Sequence, residues 1–313
     1  VNAIEVHNIN SRQQWLDLRK KDVTASAVGA VLGVHEYLTK FALWGLKTGR
    51  LDEDPDESGP MQRGRLLEPV AVALLGEQNP KWAITRPNVY MRDPRVRLGA
   101  TPDVFASDPK RGLGIVQIKS VEPSVFRRKW KDAESGDTTP PLWIAVQSLV
   151  EAELAGAQWA AVAALTVGHG LDLHMVEIPI RPDVIEHTRK AVAAFWQLVA
   201  SGETPDMDFT RDADNIGRLY AQDSGDEIDL SADPRFNALV TLKDATSRLK
   251  NSAEKELRTI NAEILATMQT NAVARFAGGK VTAKTINRKA YSVEPSSYRS
   301  PRISWTVEKD TDQ

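Results

Sequence analysis

Asp103, Gln117 and Lys119 are the residues of this chain whose types and spacing suggest chemistry. They lie within Leu98–Ser120, LGATPDVFASDPKRGLGIVQIKS, where Asp103 directly follows Pro102. Two apolar runs with β character, Val96–Leu98 and Gly114–Ile118, flank a loop rich in Asp, Pro, Lys and Gly, and so predict a hairpin with Asp103 on its first strand. Period-two alternation puts Gln117 and Lys119 on one face of the second strand. A carboxylate on one strand, facing an oxygen ligand and a lysine on the next, suits divalent-metal phosphodiester hydrolysis. The oxygens hold Mg²⁺ while the lysine positions or polarises the attacking water. The same residues also fit a solvated surface hairpin, so the flanking elements decide.

Upstream, SRQQWLDLRK reads as a helix capped by Ser11 with Trp15 and Leu18 on its apolar face. In DVTASAVGAVLGV, Thr24 or Ser26 caps a short helix. Hydroxyls at a helix N-terminus next to Arg19 form a phosphate candidate, with ordinary capping as the simpler reading. Thr39–Thr48 is a further helix, closed by Gly49. After an acidic loop at Leu51–Gly59, MQRGRLLEPVAVALLGEQ predicts a helix with Leu66, Val70, Ala73 and Leu74 toward the core and Pro69 near its first turn or kinking it. Glu68 stands among those apolar residues. A strand at Val89–Met91 leads into the hairpin.

Downstream, Glu122–Lys131 predicts a short helix carrying Arg127, Arg128, Lys129 and Lys131 close to Lys119, where a nucleic-acid backbone needs cations. In LWIAVQSLVEAELAG, Trp143, Gln147 and Glu151 recur every fourth residue on one helix face. A glutamine in so apolar a helix is costly without a partner, which makes Gln147 a site candidate. Two strands, Trp159–Val167 and Leu171–Ile180, precede a helix over Arg181–Gly202. The expected class is α/β, a mixed central sheet flanked by helices. The expected domains are residues 1–205, an acidic linker at 206–232, and a C-terminal module at 233–313. That module comprises a long helix with Phe236, Leu242, Leu249, Leu257, Ile260, Ile264 and Met268 as its stripe, then a hairpin over Ala272–Phe276 and Lys280–Asn287.

With 313 residues, 42% hydrophobic and 26% charged, the composition is that of a globular protein. No apolar run approaches a membrane span and no signal-peptide pattern is seen. The absence of cysteine excludes disulfides, cysteine–zinc sites and cysteine-ligated iron–sulfur clusters. A cytoplasmic location is therefore expected. The net charge of −2 hides segregation: residues 60–134 carry 14 Lys and Arg against 8 Asp and Glu, whereas 201–236 carry 3 against 10. Residues 275–302 are basic again. Such alternation is compatible with a phosphate-binding surface and a repelling outer face.

Taken in order, WLDLRKKDVTASAVGAVLG, KTGRL, GRLLEPVA, LGATPDVFA, GIVQIKS and PPLWIAVQSLVEAELAG resemble the YqaJ-type phage recombinase nucleases, relatives of phage lambda exonuclease in the PD-(D/E)xK superfamily. The resemblance covers roughly residues 11–200. It implies an exonuclease using Mg²⁺, with Mn²⁺ as substitute, that degrades one strand of linear duplex DNA from its 5′ end. The 3′ overhang left behind serves a single-strand annealing protein in recombination. By resemblance, Glu68, Asp103 and Gln117 surround the metals, the Ile118 carbonyl is a further ligand, and Lys119 serves the water. Gln147 holds the geometry or contacts DNA, and Arg19 and Ser26 take the 5′ phosphate. The resemblance also implies a trimeric ring, phage or prophage origin and a bacterial host cytoplasm. One departure matters: the family pattern usually has Glu where this chain has Gln117. An amide oxygen still ligates Mg²⁺ but brings no charge. That keeps two alternatives open, an inactive DNA-end-binding scaffold and an endonuclease of the same superfamily.

Overall fold

The structure is a computed structural model that describes residues 4–52, 58–290 and 297–304. Most of the acidic loop at 51–59 and parts of the basic C-terminal tail lie outside the described residues. The chain divides into two units, Val1–Leu219 and Tyr220–Gln313.

The first unit begins with β1 (Glu5–Asn8), α1 (Arg12–Lys21), β2 (Val23–Thr24), α2 (Ala25–Val31) and α3 (Lys40–Thr48). Then come α4 (Gly59–Gln78), β3 (Ala83–Thr85), β4 (Val89–Asp93), β5 (Leu98–Ala100), β6 (Val104–Asp108) and β7 (Gly112–Val121). The unit continues with α5 (Pro123–Lys129), α6 (Leu142–Ala155), β8 (Trp159–Val167), β9 (Leu171–Ile178), α7 (Pro182–Ser201) and α8 (Ala213–Leu219). Two sheets form where one was expected: a four-stranded sheet in the order β1-β4-β5-β2 and a five-stranded one in the order β3-β6-β7-β8-β9. The architecture is nevertheless mixed α/β with helices against the sheets. The five-stranded sheet is antiparallel except for the β7–β8 pair, which is parallel and is bridged by α5 and α6. Such a crossover is what two parallel neighbours require.

β7 is built for two different neighbours. Its even residues Val116 and Ile118 pack with Ala71 and Leu75 of α4. Its odd residues Ile115 and Val121 pack with Ile144, Leu149 and Ala152 of α6. Gln117 and Lys119 take odd positions and so point toward α6, as strand alternation dictates. β8 is buried from Trp159 to Thr166, which explains its unbroken apolar run.

The predicted hairpin exists with a different first strand. β7 pairs with β6, Val104 opposite Val116, and Asp103 sits in the bend just before β6. α4 also departs from expectation. It runs through Pro69 without stopping, and its deepest residues are Ala71 and Leu75, while Leu66 is exposed.

Close contacts set the elements around β7. On Gly29, a Cβ would lie 2.7 Å from the Trp143 Cβ, so only glycine lets α2 press against α6 there. Asp22, fully buried, accepts two hydrogen bonds from Arg92, at 2.8 and 2.9 Å, and one from the Tyr90 hydroxyl at 3.1 Å. This bidentate pair fixes the end of α1 to β4. Lys47 adds a hydrogen bond from its ammonium to the Arg19 carbonyl at 2.7 Å.

The acidic segment expected as a linker is in part core. Asp212 is buried and accepts from the Thr39 hydroxyl, while Met207, Ile216 and Leu219 pack on the cluster around Phe41 and Trp44. A carboxylate with a buried hydroxyl partner is a tertiary anchor that composition does not reveal.

In the second unit, α9 (Pro234–Met268) is capped by the Asp233 carboxylate, which accepts from the Arg235 and Phe236 amides at 2.8 and 3.1 Å. Of its apolar stripe Met268 is buried, whereas Leu242, Leu249 and Leu257 are exposed. The hairpin β10 (Val273–Phe276) and β11 (Gly279–Thr282) ends earlier than expected.

Candidate active site

The loop before β6, the middle of β7, α1, α2, α4 and α6 converge on one cavity of about 450 Å³. Eight residues singled out from the sequence or sharing their helix face line it together: Arg19, Ser26, Glu68, Asp103, Gln117, Lys119, Gln147 and Glu151. Trp15, Ala25, Arg65 and Thr101 complete the wall.

Gln147 is the hub. Its side-chain oxygen accepts from the Lys119 ammonium at 3.1 Å. Its amide nitrogen donates to the Gln117 oxygen and to Glu151 Oε1, both at 2.9 Å. The Gln117 amide in turn donates to Asp103 Oδ2, which also accepts the Ile118 backbone N–H at 2.9 Å. Each amide end has a partner of the right polarity, which settles both glutamine orientations. A polar network so nearly satisfied, with Gln117 and Gln147 buried, holds a unique geometry. The exception is Glu151 Oε2, buried with no hydrogen-bond partner.

The electrostatics follow from this packing. Burial raises the Asp103 pKa above the ordinary carboxylate range; the charge of Lys119 opposes the shift and that of Glu68 adds to it. Burial also raises Glu151, the charge of Asp103 adds to it, and the Gln147 hydrogen bond and Lys119 work against it. A carboxyl whose folded pKa is raised contributes most stability below its unfolded value and loses it as pH rises through the folded one. Metal-free Glu151→Gln is therefore expected to melt above the native chain at pH 8 and to lose that advantage at pH 4. A thermal-melt series across this window checks the sign.

Among the described residues, no three His, Cys, Asp or Glu side chains gather closely enough to hold a metal ion by themselves. The donor chemistry still fits Mg²⁺, which takes one or two carboxylates and completes its shell with water and phosphate oxygens. Asp103 and Glu151 are the carboxylates tied into the network. Glu68 faces the same cavity while paired with Arg86.

The phosphate candidates divide. Arg19 lies with its guanidinium 4.3 Å from the Trp15 ring centre, and Trp15 donates to the Thr101 hydroxyl at 3.0 Å. Thr24 caps α2, but its side chain makes no capping bond and instead meets the Ser26 hydroxyl at 3.0 Å. Thr24 is buried and does not line the cavity. Arg127 and Arg128 on α5 are exposed and lie outside this cavity. Lys129 pairs with Glu36 and lines a second, more aromatic cavity of about 490 Å³ with Tyr37, Trp130 and Trp143. Lys119 stands between the two cavities, since it lines both. The Ile118 carbonyl accepts from Gln117 at 3.2 Å.

Glu151 is the residue that sequence reasoning placed on the right face without giving it a role. The signal was present: a carboxylate one turn beyond Gln147 on the buried face of a largely apolar helix. His35 is a further aromatic element, stacked on Trp143 with ring centres 4.4 Å apart. Burial, assisted by Lys119 and Arg211, lowers its pKa to about 4, so it is a neutral acceptor at physiological pH.

Residues 14–156 match the family model of the YqaJ-like viral recombinase domain. The chain is 24% identical over 253 residues to the uncharacterized protein YqaJ of Bacillus subtilis (strain 168), covering 78% of this chain and 76% of that protein. Among solved structures, it is similar to the alkaline exonuclease LHK-Exo from Laribacter hongkongensis, at 20% identity and a TM-score of 0.47 over 65% of this chain and 99% of that one. For LHK-Exo in complex with dAMP, the values are 21% identity and a TM-score of 0.48, over 61% of this chain and 93% of that one. Every residue lining the cavity, from Trp15 to Glu151, falls inside the span that the family model matches.

Proposed function

We propose that this protein is a Mg²⁺-dependent exonuclease that degrades the 5′-ended strand of linear duplex DNA and leaves a 3′ overhang for strand annealing. The observation that carries this reading is the single cavity that Asp103, Gln117, Lys119 and Gln147 line together with Arg19 and Ser26. Bound Mg²⁺ supplies Lewis-acid stabilisation of the scissile phosphate and lowers the pKa of the attacking water. The chain's own residues do the rest. Lys119, held by the Gln147 oxygen, aims its ammonium at the attacking water and the developing phosphorane charge. Asp103, which lines the cavity, is fixed through one oxygen by the Ile118 amide and by Gln117, leaving the other to serve the ion. Arg19 and Ser26 give a terminal phosphate a bidentate cation and a hydroxyl donor. A trimer encircling the duplex and an annealing protein that takes the overhang complete the proposal.

The test is digestion of linear duplex with and without a 5′ phosphate, in Mg²⁺ and in chelator, beside a closed circle. Metal-dependent loss of one strand from phosphorylated ends supports the reading. Cutting of the circle would replace it with an endonuclease, and end binding without digestion with a scaffold. Arg19→Ala is expected to slow phosphorylated ends about 10-fold or more while leaving unphosphorylated ends nearly unchanged, because it removes one charge-assisted phosphate contact. Equal slowing of both substrates would move Arg19 out of the end pocket.

A further inference from the structure

The charge missing at Gln117 has a counterpart one helix away. Glu151 is 1% exposed, yet it lines the cavity that Asp103 and Gln117 line. Its Oε1 and the Gln117 oxygen share the two hydrogens of one amide, that of Gln147. Its Oε2 has no partner. An ionised oxygen left bare there is costly, and a protonated one would be an O–H with no acceptor among the described residues. A cation in the cavity relieves both problems.

We propose that Glu151, on α6, supplies the metal carboxylate that a strand residue at position 117 would otherwise provide. Gln117 then acts as a positioning residue: its amide steadies Asp103, and its oxygen helps orient Gln147 so that Oε2 of Glu151 turns to the ion. The arrangement places one carboxylate from the bend before β6 and one from α6 on the same ion, with water and phosphate oxygens filling the remaining positions. The inference rests on the proposed metal dependence.

Manganese binding to the full chain, followed by the electron paramagnetic resonance of free Mn²⁺, tests it without reference to activity. Glu151→Gln is expected to weaken Mn²⁺ about 10-fold or more, since ligand charge sets affinity in such sites. Gln117→Glu alone is expected to bind Mn²⁺ more tightly than the native chain. The double variant, Gln117→Glu with Glu151→Gln, is expected to return to within about threefold of native affinity, which a merely structural Glu151 would not allow. Circular dichroism on each variant confirms that it is folded. If Asp103→Asn loses Mn²⁺ while Glu151→Gln keeps it, the assignment of Glu151 is wrong and metal dependence stands. A double variant that binds no better than Glu151→Gln also overturns it. If the native chain binds no Mn²⁺, both proposals fall together.

Discussion

Lys119→Ala is expected to leave a chain that folds, takes up metal and holds DNA ends, but digests them about 10²- to 10³-fold more slowly, a loss of about 3–4 kcal/mol of transition-state stabilisation. The expectation follows from how little else Lys119 supports. Its ammonium donates to the Gln147 oxygen and lies 5.5 Å from the Trp143 ring centre, so its removal frees one acceptor at the edge of a cavity. Gln147 keeps its two amide bonds to Gln117 and Glu151 and with them its orientation. Single-turnover digestion separates the chemical step from binding, and an end-binding isotherm in Ca²⁺ should stay within about threefold of native. Lys119→Arg keeps the charge but replaces a compact ammonium with a wide planar fork, and is expected to recover only a small part of the rate. A Lys119→Ala chain that digests at a third of the native rate would end the assignment of the lysine to the water.

Asp103→Asn should be as severe by a different route. Its Oδ2 accepts the Ile118 backbone hydrogen at 2.9 Å, and one oxygen of an asparagine can keep that bond. The other end then presents N–H groups to the cavity where a metal needs an anion. Metal uptake should fall by 10-fold or more and the rate by about 10³-fold, with the fold intact. Without metal the variant should melt above the native chain at neutral pH, because burial opposes the charge of Asp103. Lower activity with unchanged Mn²⁺ binding would make Asp103 a structural residue. The two variants separate the roles: one keeps metal and loses rate, and the other loses both.

What was legible in the sequence follows from physical contrast. Lys119 and Gln147 stand out because each interrupts an apolar pattern whose period is clear, two on β7 and 3.6 on α6. The strands β7 and β8 and the helix α6 between them were read from the same contrast. The partner of β7 was not, since Val96–Leu98 and Val104–Asp108 are both short β-like runs and only long-range pairing chooses between them. β1 and β2 are too short to leave a period of their own, which hid the second sheet. In α4 the buried face is narrow, and Ala71 and Leu75 outrank larger neighbours for reasons of packing rather than hydropathy. Asp212 reads as solvent-loving in any acidic stretch, and only the Thr39 hydroxyl across the fold reverses that. The role of Glu151 was hidden for a related reason. Position 117 draws attention as a loss, while its compensation lies 34 residues on, in another element.

The Gln147 amide has two hydrogens, and both are spent, one on position 117 and one on position 151. That constraint reaches beyond one molecule. A lineage that swaps the carboxylate between strand and helix passes through an intermediate with either both charges or neither, and each is handicapped. The intermediate with both binds metal more tightly but crowds anions beside Asp103 whenever the ion is absent, and the one with neither starves the metal. Positions 117 and 151 should therefore evolve as a pair, and each should change in relatives chiefly when the other has changed. Gln147, whose amide serves either arrangement, should be the member of the trio that stays fixed.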